Sequence, residues 1–577
     1  MPRRFRPSFA LRCTVVCALL SAPDPRAHAA SAASGRGGIV VSEDSLATLV
    51  GVEVLMAGGN AVDAALATAL ALAVTFPEAG NLGGGGFLLA YDPVARAVWA
   101  LDFRETAPAA ADPEMYLRLE AEGVADASTA GPLAGAIPGS PAGLFAAWRR
   151  GGTVSWRRLV EPARVLAAEG FRVGAHLHGE LAEKADLLGA FPSTRAAFFR
   201  GDSVIAEGER LVQADLAGVL ETIADGGPVA FYRGALARRM VAAVRAAGGI
   251  WSADDLAAYE ALPRHPIVIP LDTDARLEVI ALPPPSAGAV VLAETLALLR
   301  AQKALALPAS SPRRAAALVE AQRLAFEVRN TRLADPAFMG EPFERLLEPA
   351  YHRALAARLP ARPPGRSRSV PLEEVIESGN TTHIVVFDAR GGVACLTTTV
   401  NGAFGGKWVI PGTGILLNNQ MDDFDTRPGR PNLYDLVGSG LNGVQPGARP
   451  LSSMSPTLVM RAGEPWLALG ARGGPRIHSA IAQVILRRVF DGTDLAAAVA
   501  APRIHHQWLP DAVFFEDMAP DTTLRAALDE MGYDTETRDY IARVMAAERL
   551  PGGRFAGVVD PRTTGLALAV EPEEDSR

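Results

Sequence analysis

At 577 residues the chain is several times longer than an average domain of roughly 100–200 residues, which excludes peptide hormones and disulfide mini-scaffolds and leaves room for a large core. Apolar residues make up 49% and charged residues 21%, the balance of a folded globular protein and not of a disordered one. The formal charge is -8 although the first 29 residues hold five arginines against one aspartate, so the remainder is acidic enough to repel phosphate backbones; small molecules, not nucleic acid, are the expected partners.

In chain order, the first 29 residues read as a secretory signal peptide: Arg3, Arg4 and Arg6, a mostly apolar stretch over 9–22, then Ala27-His28-Ala29 as a small-x-small cleavage site. The apolar stretch is broken by Arg12 and is shorter than the roughly 20 residues a membrane span needs. Val16 before Cys17 does not suit lipoprotein processing. A free periplasmic or secreted protein with no membrane span after signal removal is expected. Cys13 and Cys17 fall inside the signal, so Cys395 remains alone, and its apolar surroundings over 393–396 predict a buried, inert thiol and no internal disulfide.

Residues 45–56 and 60–74 have the pattern of two buried helices, the second carrying Asp63 within its apolar face. Pro77 ends it, and Gly83 to Gly86 lead into a strand over 87–91 that pairs with 98–103 across a turn at 92–96. These glycines lack the Lys-Ser/Thr of a phosphate loop and read as close backbone packing. Residues 109–357 alternate helical stretches with short breaks and predict a helical outer layer without repeats. A Pro-rich, Arg-rich tract over 361–369 is the best linker in the chain. Beyond it come a hairpin of 382–388 with 393–399, a strand over 465–469, a turn over 471–474 and a helical stripe over 477–485. Such layering suggests sheets covered by helices. His505 and His506 are adjacent, point to opposite faces of a strand and have no third ligand nearby, so a structural role is expected and no metal or other cofactor. There is no Gly-x-Ser-x-Gly nucleophile elbow.

The chemically suggestive place is Gly379-Asn380-Thr381-Thr382-His383, where the linker meets the hairpin. A threonine hydroxyl is a poor nucleophile without a base, and the nearest base available is the residue's own α-amine, with a pKa of about 8. Thr381 would therefore have to become a chain terminus. A cut at Asn380-Thr381 is feasible if Thr381 Oγ attacks the preceding carbonyl and the resulting ester is hydrolysed. Taken alone, two threonines at a strand start are explained by β-propensity.

Their context is more specific. The segments Asn380-Thr381-Thr382-His383, Thr397-Thr398-Thr399-Val400-Asn401, Leu417-Asn418-Asn419-Gln420-Met421-Asp422-Asp423-Phe424 and Arg449-Pro450-Leu451-Ser452-Ser453-Met454-Ser455-Pro456 occur in this order. Upstream stand Pro77-Glu78-Ala79-Gly80-Asn81-Leu82, Asp102-Phe103-Arg104-Glu105-Thr106-Ala107-Pro108 and Pro283-Pro284-Pro285-Ser286-Ala287-Gly288. Together these segments resemble the γ-glutamyltransferases over nearly the whole chain after the signal.

The resemblance implies an α/β (α+β) fold, the αββα four-layer sandwich of amino-terminal-nucleophile hydrolases. It implies a precursor cleaved after Asn380 into a large subunit, residues 30–380 with an exposed linker at about 361–380, and a small subunit, residues 381–577, which stay together as a noncovalent heterodimer. The implied activity takes the γ-glutamyl group of glutathione or another γ-glutamyl amide through a threonyl ester and passes it to water, or to an amino acid or dipeptide acceptor. Residue by residue, it implies Thr381 as nucleophile and Thr399 as the hydroxyl bonded to it. A γ-glutamyl head group carries an α-carboxylate and an α-ammonium; the matching residues are Arg104, with Ser452 and Ser453, for the first and Asn401, Gln420 and Asp423 for the second. An arginine fork suits a carboxylate better than a lysine does. Gly473 and Gly474, in a strand-to-helix turn, can present bare N–H groups to an oxyanion, and they match the family's oxyanion position.

Two related readings remain open here. A glutaryl-cephalosporin acylase of the same superfamily tends to lack the lid loop, whereas residues 428–440, with Asn432 and Tyr434, stand where a lid should be, and Tyr434 matches the gating residue. An uncut secreted binding protein would be expected to have lost Thr381 or Thr399, and both are present. Departures from the family pattern are Arg472, where proline is expected, and Lys407-Trp408, which bring bulk and charge to a loop expected to be smaller and put the acceptor side in question.

Overall fold

The computed structural model describes residues 31–124, 126–272, 276–367 and 380–572. The signal-peptide reading with Cys13 and Cys17, and the part of the linker over 368–379, lie outside the described residues.

Two seven-stranded sheets form the centre. In the first, the hairpin Asn380–Asp388 with Val393–Asn401 is flanked by Gly38–Ser42 and Leu566–Val570 on one side and by Gly85–Asp92, Ala97–Phe103 and Leu262–Arg264 on the other. The second runs in the order Ala32–Gly35, Arg554–Val559, Arg543–Leu550, Glu464–Arg472, Thr457–Arg461, Leu277–Ala281, Ile267–Pro270. All pairings in both sheets are antiparallel.

Side-chain alternation explains the layers. Val385, Phe387, Val393 and Cys395 of the hairpin pack against Leu458, Ala468, Met545 and Phe555 of the second sheet. Their neighbours Ile384, Val386, Ala394 and Leu396 face outward, under the helices Ser45–Met56, Ala61–Thr75, Ser140–Gly151, Trp156–Glu169 and Ala214–Tyr232. On the far side, Val459, Leu467, Leu469 and Val544 lie beneath Gly288–Ala301, Pro312–Arg332 and Arg476–Ile485. The result is the expected αββα sandwich. Because both faces of the central strands are covered, every residue of Asn380–Asp388 is buried, and the strand reads as a continuous apolar run after its polar start.

The first two helices lie at Ser45–Met56 and Ala61–Thr75, with Asn60 capping the second. Asp63 closes a capping box with Asn60 and accepts from Thr153 N at 2.9 Å, which accounts for a carboxylate in an apolar helix. The expected helical layer over 109–357 is interrupted: Leu262–Arg264 is an edge strand of the first sheet, and Ile267–Pro270, preceding Leu277–Ala281, is an edge strand of the second. Edge strands tolerate Pro263 and Pro270 because an outward N–H needs no partner, and this hides them from propensity. The predicted turn over 471–474 is also shorter, since the strand continues to Arg472, paired with Arg543. The described part of the linker is tied down: Gly365 N donates to Glu320 at 2.8 Å and Ser367 N to Asp511 at 2.9 Å.

Burial pushes the Cys395 thiol up to about 12 and the neighbouring His383 down to about 3, their Sγ and Nε2 lying 3.2 Å apart. The thiol is therefore neutral and serves packing. His505 sits 2.7 Å from Ser479 Oγ and 2.9 Å from Gln507 Oε1, and His506 lies 3.2 Å from Asp511. Among the described residues no group of three or more His, Cys, Asp or Glu could hold a metal, and no helix is long and apolar enough to cross a membrane.

The four glycines bring backbones together. A Cβ on Gly84 would meet the carbonyl oxygen of Thr399 at 2.1 Å, and one on Gly86 that of Thr397 at 2.3 Å. Gly84→Ala should lower the stability of the folded protein by at least about 2 kcal/mol, since backbone cannot move aside as a side chain can; thermal unfolding beside the wild type checks this.

Candidate active site

The hairpin opens at one end of the sandwich, and there its ladder changes register. Thr381 pairs with Thr399 but Asn380 pairs with Asn401, so Val400 is an extra residue on the second strand. Such a bulge turns the flanking side chains from their regular directions. Asn401 takes φ +80, a left-handed conformation that Asn tolerates better than most side chains do. The bulge sets a short network: Thr399 Oγ donates to the carbonyl oxygen of Asn380 at 2.6 Å and accepts from Asn401 N at 2.9 Å. Since Asn401 N occupies a lone pair, the hydroxyl proton is directed at the carbonyl of the Asn380-Thr381 peptide bond.

The neighbouring threonines are committed elsewhere. Thr397 Oγ lies 2.8 Å from His383 Nδ1, and Thr398 Oγ donates to Gly85 O at 2.8 Å. Thr381 is 5% exposed, at the mouth of the layer between the sheets.

A charge cluster lies beside this end. Arg104 directly follows the strand Ala97–Phe103 and is fully buried. Its guanidinium pairs with Asp423, approaches Glu105 at 3.4 Å and donates through Nε to Pro450 O at 3.1 Å. Gln420 Nε2 donates to the same Asp423 oxygen at 3.0 Å, both residues belonging to the 3₁₀ turn Gln420–Asp423. Asn401 connects the cluster to the hairpin, donating through Nδ2 to Asn419 O at 3.0 Å.

Ser452 and Ser453 stand next to the carbonyls that Arg104 engages, but their hydroxyls do not bond to it. Ser452 Oγ accepts from Met454 N at 3.1 Å, and Ser453 Oγ accepts from Arg329 at 3.0 Å. Arg329, on the helix Pro312–Arg332, is the residue that sequence reasoning missed. Burial pulls its guanidinium down to about 10, while Asp423 and Asp425 oppose the shift. No local signal singles it out, because Arg314 and Arg323 of the same helix are buried arginines as well. The triple-proline segment supports the serines, with Ser452 N donating to Pro285 O at 2.7 Å.

The glycine pair joins the strand Glu464–Arg472 to the helix Arg476–Ile485 with φ +138 at Gly473 and +57 at Gly474. A Cβ on Gly474 would reach the Tyr434 ring at 3.1 Å, so the turn and the 428–440 segment are in contact. Tyr434 is buried, its hydroxyl donates to Asn401 O at 2.7 Å, and its carbonyl accepts from Gln507 at 3.0 Å. Asn432 Oδ1 accepts from Tyr434 N at 3.0 Å and holds the tip of the loop. Burial raises Asp422, which accepts from Leu433 N at 2.9 Å, to about 6. Contacts thus run continuously from Asn380 through Thr399 and Asn401 to Asp423 and Arg104, and from Asn401 through Tyr434 to the glycine turn. Lys407 and Trp408 are both buried, and Trp408 packs into the core beneath the first helical layer.

Residues 47–570 match the family model described as Gamma-glutamyltranspeptidase. The chain is 38% identical to the glutathione hydrolase proenzyme of Escherichia coli (strain K12) over 532 residues, covering 91% of this chain and 90% of that protein. Among solved structures, a cephalosporin acylase from Bacillus halodurans superposes with a TM-score of 0.82 at 24% identity, covering 96% of this chain and 99% of that one, a likeness of fold. The gamma-glutamyltranspeptidase of Pseudomonas nitroreducens is 35% identical with a TM-score of 0.51, covering 56% of this chain and 94% of that one.

Glu105 carries a pH signature. Burial raises its carboxyl from 4.5 to about 7, against the attraction of Arg104. Below the unfolded value both states are protonated; as pH rises the unfolded chain ionises first, so stability is lost up to about pH 7 and then levels. Glu105→Gln should remove about 2 to 3 kcal/mol of the stability difference between pH 4.5 and 7.5, measured by urea unfolding of variant and wild type.

Proposed function

The chain belongs to the gamma-glutamyltranspeptidase family, and from that membership we propose how its own residues carry out the reaction. It is an amino-terminal-nucleophile enzyme, a γ-glutamyltransferase and glutathione hydrolase. In the proposed first step Thr381 Oγ attacks the Asn380 carbonyl carbon, the C–N bond breaks, and the hydroxyl proton ends on the freed amine. Water then hydrolyses the ester, leaving an Asn380 carboxylate and an amino-terminal Thr381. The Thr399 hydroxyl on the Asn380 carbonyl supports this reading, because a donor already in place stabilises the oxyanion as it forms.

In turnover the Thr381 amine acts as base, its hydroxyl attacks the γ-carbonyl of the donor, and the leaving amine takes the proton. The γ-glutamyl ester is released by water or by an acceptor amine. Gly473 and Gly474 supply the N–H donors for the tetrahedral intermediate, and Thr399 steadies the nucleophile.

The Arg104-Asp423 pair carries the substrate reading. A zwitterionic head group can exchange with it so that each buried charge keeps an opposite partner: α-carboxylate on Arg104, α-ammonium on Asp423, Gln420 and Asn401. Neither charge is then left uncompensated, the outcome that makes breaking a buried pair costly. Ser452 and Ser453 assist the carboxylate, with Arg329 holding Ser453, and Tyr434 with the 428–440 segment covers the pocket. A glutaryl group lacks the ammonium and would leave Asp423 facing a methylene, which favours γ-glutamyl amides over glutaryl ones. The protein is exported to the periplasm or beyond as a precursor and works as a heterodimer of residues 30–380 and 381–577.

On denaturing electrophoresis the purified wild type should give bands of about 37 and 21 kDa, in proportion to their shares of the 60.5 kDa chain, the smaller beginning Thr-Thr-His-Ile, and Thr381→Ala should remain uncut. A single wild-type band with no glutathione hydrolysis would overturn the reading. Asp423→Asn should raise KM for glutathione about 10- to 100-fold, the worth of one charged hydrogen bond, and affect a glutaryl amide far less, as read from initial rates on both substrates.

A further inference from the structure

Arg472 departs from the pattern of the resembling family, and its surroundings give it a task. Ala468 lies in the core between the sheets, and a Cβ on Gly470 would meet the His383 ring at 2.3 Å, so alternation aims Arg472 into the same gap. The side chain is fully buried and crosses from the second sheet to the first. One guanidinium nitrogen donates to Asn380 Oδ1. Another lies 3.6 Å from Glu43 Oε1, next to the end of the strand Gly38–Ser42, and the Phe76 ring centroid lies 5.4 Å from the guanidinium carbon.

We propose that Arg472 is a positioning residue for the self-cleavage of this chain, holding the Asn380 side chain so that the adjoining carbonyl stays against the Thr399 hydroxyl. The proposal rests on the cleavage reading above. Asn380 is held at two points, its main-chain oxygen by Thr399 and its side-chain oxygen by Arg472. Together they restrict rotation about the bonds flanking the carbonyl carbon that Thr381 Oγ must reach. Glu43, 3.6 Å from the guanidinium, is its acidic neighbour in the gap, with a carboxyl that burial raises. Arg472 neither gains nor loses a proton in the step: the bond from Thr381 Oγ to the Asn380 carbon forms, the C–N bond breaks, and the proton passes within Thr381.

A misplacement of about 1 Å can cost about 100-fold in rate. The time course of precursor conversion, followed by denaturing electrophoresis, should therefore slow at least about 10-fold in Arg472→Ala and in Asn380→Ala, with the double variant no slower than the slower single one. Arg472→Lys should recover part of the rate, because a cation still reaches the amide oxygen. These readouts separate aiming from general stability: a structural role would slow Arg472→Ala while Asn380→Ala converts normally, or would make the two effects multiply, and either result overturns the proposal. Should Arg472→Ala fail to fold, wild-type conversion in Asn380→Ala is sufficient to overturn it and slow conversion sustains it. A wild-type chain that stays uncut overturns the cleavage reading and this proposal with it; a wild type that is cut at the same rate as Asn380→Ala overturns only the role of Arg472.

Discussion

The register change in the central hairpin is the constraint on which the site depends. With Val400 as an extra residue, the ladder hands Asn380 to Asn401 while Thr381 remains opposite Thr399, and a single hydroxyl can accept from Asn401 N and donate to the Asn380 carbonyl. A regular ladder would spend the strand-end groups on one another. Everything that packs against the bulge serves this arrangement: the glycines that let the next strand approach, the Tyr434 hydroxyl on Asn401 O, and the guanidinium that crosses from the opposite sheet.

The electrostatics follow from where this end of the sandwich lies. Arg104, Glu105, Asp423, Arg329, Arg472 and Glu43 are drawn from segments far apart in the chain and brought into a region with little water. Burial disfavours the charged form of such groups, and it raises Glu105 and Glu43 and lowers Arg329. A buried pair such as Arg104 with Asp423 adds little net stability, because desolvation cancels most of the attraction. In the proposed reaction its value lies in exchange with a zwitterion, which needs both charges already in place. The net charge of -8 is a separate matter, a long-range property that salt screens.

Much of this was legible in the residues. The two buried helices, the strand pair after the glycines and the central hairpin follow from local periodicity, and the observed elements differ from expectation by a residue or two at their ends. The ordered motifs supplied the family and hence the sandwich. What local patterns missed were the short edge strands Leu262–Arg264 and Ile267–Pro270, whose pairing is set by partners elsewhere in the chain and whose prolines argue against a strand, and the extension of Glu464–Arg472 to its last residue.

The sequence by itself determined the two buried helices, the strand pair and the central hairpin, because their periodicity is set by near neighbours along the chain, and its ordered motifs supplied the residue types that gather near Thr381. Tertiary structure alone decided how those residues meet: that Ser453 answers to Arg329 and not to Arg104, that Trp408 enters the core, and that Arg472 reaches Asn380 from the other sheet. Hydrogen bonds and ion pairs depend on distances of about 3 Å between segments that lie, in these cases, 92 and 124 residues apart, and such distances exist only once two sheets have packed face to face.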